Sequence, residues 1–123
     1  MIAGMAPVLD SRLWAYVAVT PDRAEELLAA AIGTFREDEG VSAIVPAEMA
    51  TGEPPFARIV LTVYSDLEGF GLTAAVSTAL ADAGIACNVV AALRHDHLFV
   101  PAGRADQALA ILQALSARAR GNG

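Results

Sequence analysis

Two polar clusters stand out in the apolar stretch from Ile59 to Val100: the turn Ser65-Asp66-Leu67-Glu68-Gly69-Phe70-Gly71 and the tripeptide His95-Asp96-His97. The turn follows a strand-like run and opens a helix-like one. Unpaired backbone N–H groups at such a junction attract an anion, and glycines let it approach closely. The full Gly-x-Gly-x-x-Gly pattern of a dinucleotide site is missing, so a small anion such as an amino-acid carboxylate fits better. The competing reading is that Gly69 and Gly71 only allow a tight strand-to-helix corner. Asp66 and Glu68, two apart in a turn, have the form of an acid–base pair and equally that of caps and solvated charges.

In an extended segment, His95 and His97 would project to one side and Asp96 to the other. Two imidazoles suit zinc or nickel, but such a site needs three or four ligands, and the chain has only 2 histidines and 1 cysteine. Alternatively, Asp96 turns a hairpin while the histidines bond loop backbone or line a subunit contact. Ser65, Thr73 and Ser77 are hydroxyl nucleophiles without a Gly-x-Ser-x-Gly turn around them. No catalytic constellation emerges, and no cofactor is implied.

The elements that must hold these clusters follow from periodicity. Phe56–Tyr64 alternates as a half-buried strand, with Ile59 and Leu61 on one side and Arg58, Val60 and Tyr64 on the other. Leu72–Ala83 has a helical stripe of Leu72, Val76, Ala79, Leu80 and Ala83, and Gly84 is placed to close it. Ile85–Leu93 and Leu98–Val100 read as a hairpin entered through Arg94–His97. Arg104–Arg118 is a last helix facing inward through Ala108, Ile111, Leu112 and Leu115. Upstream, residues 1–12 read as an arm or short helix and Leu13–Val19 as a strand. A helix starts at Thr20-Pro21, a short strand and acidic turn follow, and Val41–Val45 returns. Thr51-Gly52-Glu53-Pro54-Pro55 is the clearest break, dividing the chain into 1–54 and 55–120, with 121–123 as a frayed tail. Val19-Thr-Pro-Asp-Arg-Ala and Val100-Pro-Ala-Gly-Arg-Ala echo one another, in keeping with a strand–helix–strand–strand–helix unit written twice.

Composition narrows the function classes. The chain has 123 residues, 55% of them hydrophobic, and a formal charge of −6. Its 8 basic residues are scattered and its aromatics are 6%, which argues against nucleic acid as a partner. No apolar run approaches the ~18 residues of a membrane-spanning helix, and the N-terminus lacks a secretory pattern. The lone Cys87 in an apolar run fits a reducing compartment. A soluble, cytoplasmic protein is expected.

With its strand, Asp66-Leu-Glu-Gly69 turn, helix closed by Ala-Gly-Ile, and hairpin Asn88-Val89-Val90…His97-Leu98-Phe99-Val100, the run from Arg58 to Leu115 resembles an ACT domain. The wording Gly-Leu-Thr-Ala-Ala-Val-Ser…Ala-Gly-Ile-Ala-Cys-Asn-Val-Val-Ala…His-Asp-His-Leu-Phe-Val-Pro is similar to small stand-alone bacterial ACT proteins whose N-terminal half is a second, degenerate ACT-like unit. The resemblance implies an α+β, ferredoxin-like fold: an antiparallel sheet with helices on one face and a βαββα unit occurring twice. It implies an amino-acid-binding regulatory module whose ligand contacts are Asp66, Glu68, Gly69, Phe70, Gly71, Leu72, Asn88, Val89 and Val90. Amides near Gly69–Leu72 would take the carboxylate, and Asp66 or Asn88 the ammonium or side chain. Where many ACT domains have Asp-x-Pro-Gly, this chain has Asp66-Leu67-Glu68-Gly69, an acid in place of the proline. The alternatives are a ligand-free structural dimerisation module, and a metal protein or enzyme using His95, Asp96 and His97. Val60, Tyr64, Val90 and Phe99, on the face away from the core, would form an apolar patch, so a homodimer is expected.

Overall fold

A computed structural model describes residues 6–61 and 72–121. It contains strand β1 (Pro7–Ala18), helix α1 (Ala24–Ala30), strands β2 (Gly33–Glu37), β3 (Gly40–Pro46) and β4 (Phe56–Leu61), helix α2 (Leu72–Asp82), strands β5 (Asn88–Ala91) and β6 (Asp96–Pro101), and helix α3 (Ala105–Gly121). Single turns of 3-10 helix stand at Pro21–Arg23, Ala47–Met49 and Ala102–Arg104.

The chain forms two compact units, residues 12–56 and residues 1–11 with 57–123. In the first the strand order is β2-β3-β1; in the second it is β1-β4-β6-β5, the start of β1 serving as the flanking strand. Each unit therefore places its third strand between its first and second, and each follows that third strand with a 3-10 turn. The β-α-β-β order occurs twice, as an α+β sheet with helices.

The repeats differ in their last helix. In the second, the turn Ala102–Arg104 runs on into the 17 residues of α3. In the first, Ala47–Met49 stops after one turn, because Gly52 adopts φ +96° and Pro54-Pro55 cannot continue a helix.

The N-terminal arm is a correction to the sequence reading: Pro7–Ala18 is one 12-residue strand, not an arm or helix followed by a strand. Proline is tolerated at the first position of a strand. Leu9 packs inward, and Asp10, on the opposite face, pairs with Arg58, with Nη2 at 2.9 Å from Oδ2. Pairing in the sheet outweighs the turn propensity of Asp10-Ser11.

Each unit has its own core. In 12–56, Ala15, Ala43 and Val45 of the sheet pack under Leu27 of α1, with Ala50 beside them. Trp14 and Tyr16 occupy the other face of β1, Tyr16 meeting Phe56 edge-on at 5.3 Å. In the other unit, Ala57, Ile59, Leu61, Leu98 and Val100 lie beneath Val76 and Leu80 of α2 and Ala108 and Leu112 of α3, as their periodicities require. No described helix is long and apolar enough to cross a membrane.

Candidate functional site

Asp66, Glu68, Gly69, Phe70 and Gly71 lie outside the described residues, and Leu72 is the first residue of α2. The strand half of the expected site is β5, shorter than the Ile85–Leu93 strand read from the sequence. It pairs antiparallel with β6, Asn88 opposite Phe99, Val89 opposite Leu98 and Val90 opposite His97. Opposed residues share a face, and faces alternate along a strand. Val89 accordingly packs against the helix-covered core beside Leu98, while Asn88 and Val90 stand on the other face, both exposed.

The end of α2 sets where β5 begins. Gly84 takes φ +73°, and its N–H donates to Ala81 O while Ile85 N–H donates to Leu80 O, at 2.9 and 3.0 Å. This pair of bonds closes the helix in a Schellman turn, with Ile85 buried against the core. Arg104 adds a second clamp, its guanidinium donating to Ala83 O at 3.0 Å and Gly84 O at 3.4 Å.

The His-Asp-His segment is split. His95 lies in the turn, where its carbonyl accepts the Ala92 N–H, and the strand begins at Asp96. Asp96 is 5% exposed and shares the core-facing parity of Leu98 and Val100; His97 is half-buried on the other face. Burial first, and then the positive field of Arg58, lower the His97 pKa from its ordinary value, with His95 adding to the effect and Asp96 opposing it. Among the described residues no three His, Cys, Asp or Glu side chains gather as a metal site. Cys87 is half-buried, and burial pushes its thiol up to about 11, so it is protonated at neutral pH.

The expected apolar patch is also revised. Phe99, on an interior strand, is 1% exposed, and Val60 is half-buried. Val90 at 39% and the nearby Leu93 at 62% are exposed at the β5 edge, and Tyr64 lies outside the described residues.

A feature not anticipated from the sequence lies in the 12–56 unit. A cleft of about 460 Å³ opens where β1 ends and the 3-10 turn begins, lined in part by Thr20, Arg23, Ser42 and Glu53. Thr20-Pro21, expected from the sequence to start a helix, instead opens the 3-10 turn Pro21–Arg23. Thr20 is extended, and its hydroxyl makes no capping bond. Ser42 is brought alongside Ala18 by the β1–β3 register. The usable signal was a cation and a free hydroxyl three residues apart at a strand-to-helix junction.

Profiles of the ACT domain match residues 57–114 and, separately, residues 1–54. No protein of curated function matches. A crystal structure from Vibrio cholerae, described as a protein of unknown function and possible transport protein, is 38% identical over 90% of this chain and 90% of its own, with a TM-score of 0.79. An Agrobacterium tumefaciens protein shares the fold at 15% identity and TM-score 0.69, over 89% of this chain and 87% of its own. So does the ligand-free regulatory subunit of aspartate kinase from Thermus thermophilus, at 13% identity and TM-score 0.67, over 92% and 97%. With two tandem domain matches and a relative 38% identical along nine-tenths of its length, the chain belongs to the ACT-domain family.

Proposed function

We propose that the chain is a non-catalytic regulatory module that binds an amino acid and changes its subunit or partner contacts in response. The observation that carries this reading is the tandem ACT match laid over a β-α-β-β order that occurs twice. The aspartate kinase regulatory subunit, similar in fold, points the same way.

In this reading the ligand carboxylate meets the amides of Gly69–Leu72, flanked by Asp66, Glu68 and Phe70. The exposed Asn88 of β5 meets the ammonium or side chain. Val90 adds apolar contact on the same face, and Val89, packed inward, supports the strand from behind. The module works in the cytoplasm as a homodimer, for which the exposed Val90 and Leu93 at the β5 edge are the motive.

A thermal-shift screen of the twenty amino acids tests the function. One or a few should stabilise the fold by about 2–3 kcal/mol at a hundredfold excess over Kd. Asn88→Ala and Gly71→Val should abolish that shift without lowering the ligand-free Tm. No shift with any amino acid, combined with an unchanged fold in Gly71→Val, rejects the reading. Light scattering showing a monomer at tens of micromolar rejects the dimer.

A further inference from the structure

In the second unit, Arg58 stands between a carboxylate and an imidazole. Strand β4 lies between β1 and β6, and Asp10, Arg58 and His97 all sit on the face away from the helix-covered core. Asp10 holds the guanidinium by two nitrogens, Nε at 3.1 Å and Nη2 at 2.9 Å from the same Oδ2. Both side chains are largely shielded from water, so the positive charge is fixed in place. Burial, and then the field of this tethered cation, hold His97 toward its neutral form.

The other charged groups near the imidazole matter less. On its own strand, Asp96 takes the core-facing parity, and His95 lies in the turn. Across on β5, the opposed Val90 and the neighbouring Asn88 carry no charge. From the far side, β1 is two strand spacings from β6, about 10 Å, with β4 between them. A protonated His97 therefore meets Arg58 first and cannot take its place on Asp10 without displacing it. Two adjacent cations are relieved when one moves away. Arg58 moves only by giving up Asp10, which belongs to the first residues of β1, the flanking strand of this unit.

We propose that Asp10, Arg58 and His97 form an acid-sensitive latch: a proton on His97 loosens Arg58 from Asp10 and lets the first residues of β1 part from β4. The latched state favours neutral His97. It is therefore unopposed above the ordinary imidazole value of ~6.5 and weakens as pH falls through the lower value held in the fold. Parting exposes the edge of β4 that β1 covers. The latch does not depend on the ligand reading above.

Two NMR measurements on the full chain test it. The first is the titration of the His97 ring in the wild type and in Asp10→Asn. Loss of a nearby negative charge ordinarily lowers an imidazole pKa. The latch requires the reverse, a rise toward the ordinary value, because the untethered guanidinium swings away from His97. A fall, or no change, overturns the proposal. The second is hydrogen exchange, read as protection factors so that the intrinsic effect of pH cancels. Between about pH 7.5 and about pH 5.5, opening of the protected amides among residues 8–11 should rise at least about threefold. His97→Gln should abolish that rise, and Asp10→Asn should leave these amides more open at both pH values. A rise that persists in His97→Gln overturns the latch. So does opening at the acid end equal to that of the α3 amides around Leu112, because the unit then yields as a whole.

Discussion

The chain makes the same strand-to-helix junction twice with different consequences. At Val19–Arg23 and again at Val100–Arg104, a strand is followed by a single 3-10 turn whose last residue is an arginine, with a proline opening the turn (Pro21) or ending the strand (Pro101). Both arginines donate from Nε to a side-chain oxygen three residues on, Arg23 to Glu26 at 2.7 Å and Arg104 to Gln107 at 2.9 Å. The remaining guanidinium nitrogens diverge. Those of Arg104 are committed to the carbonyls closing α2, whereas Arg23 stands on the rim of a cleft. One local device thus serves as a fastener in one unit and presents a charge to solvent in the other. The difference lies in what each junction faces: Arg104 the end of a neighbouring helix, Arg23 a loop stopped by Gly52 and two prolines.

The largest expected effect concerns the helix that only the second repeat completes. Leu112→Ala removes a fully buried side chain of α3 from the core formed with Leu80, Leu98 and Val100. It should cost about 3 kcal/mol in denaturant unfolding. A loss below about 1 kcal/mol would mean that α3 is dispensable and the two repeats more alike than their lengths suggest. Next comes Asp10→Ala, which leaves Arg58 without the carboxylate at 2.9 Å; the pair is only 14% and 23% exposed at its side chains. A loss of about 2 kcal/mol is expected, discounted from the fully buried case. An effect below 0.5 kcal/mol, the range of ordinary surface changes, would mean that the first residues of β1 do not help hold the second unit.

The two arginines give the direct test. Arg104→Ala should cost about 1 kcal/mol, from two bonds to carbonyls and the loosened Schellman turn. Arg23→Ala should stay within about 0.5 kcal/mol, as its bridge to Glu26 is solvent-exposed. Equal losses would erase the distinction between fastener and presented charge.

The sequence carried the fold further than the site. Alternation in Phe56–Leu61 and the stripes Val76-Leu80 and Ala108-Leu112 named the core-facing residues, because burial imposes those periods directly. Gly84 was legible for the same kind of reason, a left-handed residue after a helical stripe. The start of β1 was not, since Pro7, Asp10 and Ser11 are poor strand formers and the pairing of Asp10 with Arg58 spans 48 positions of sequence. The echo between Val19–Ala24 and Val100–Ala105 was real but local: it joins the first junction of one repeat to the last junction of the other. True repeat equivalence lies in strand order, which a single sequence does not display. The cleft was only partly legible: Thr20 and Arg23 are close in sequence, but Ser42 and Glu53 join them in lining it only through the sheet register and the loop after Ala50.

The smallest expected effect distinguishes the histidines that the tripeptide presents as a pair. His97 is half-buried near Arg58, and both burial and that positive charge favour its neutral form, so its pKa in the fold lies below its unfolded value. The unfolded chain then binds the proton more readily as the solution is acidified. The contribution to stability is complete above the unfolded value of ~6.5 and is lost as pH falls through the folded one. Chemical denaturation followed from pH 8 to pH 5 should show a decline that His97→Gln removes and His95→Gln largely retains. If His95→Gln abolishes the decline instead, the turn residue and not the strand residue senses acid. The asymmetry assigned to the segment, with His97 held in the sheet and His95 outside it, would then be reversed.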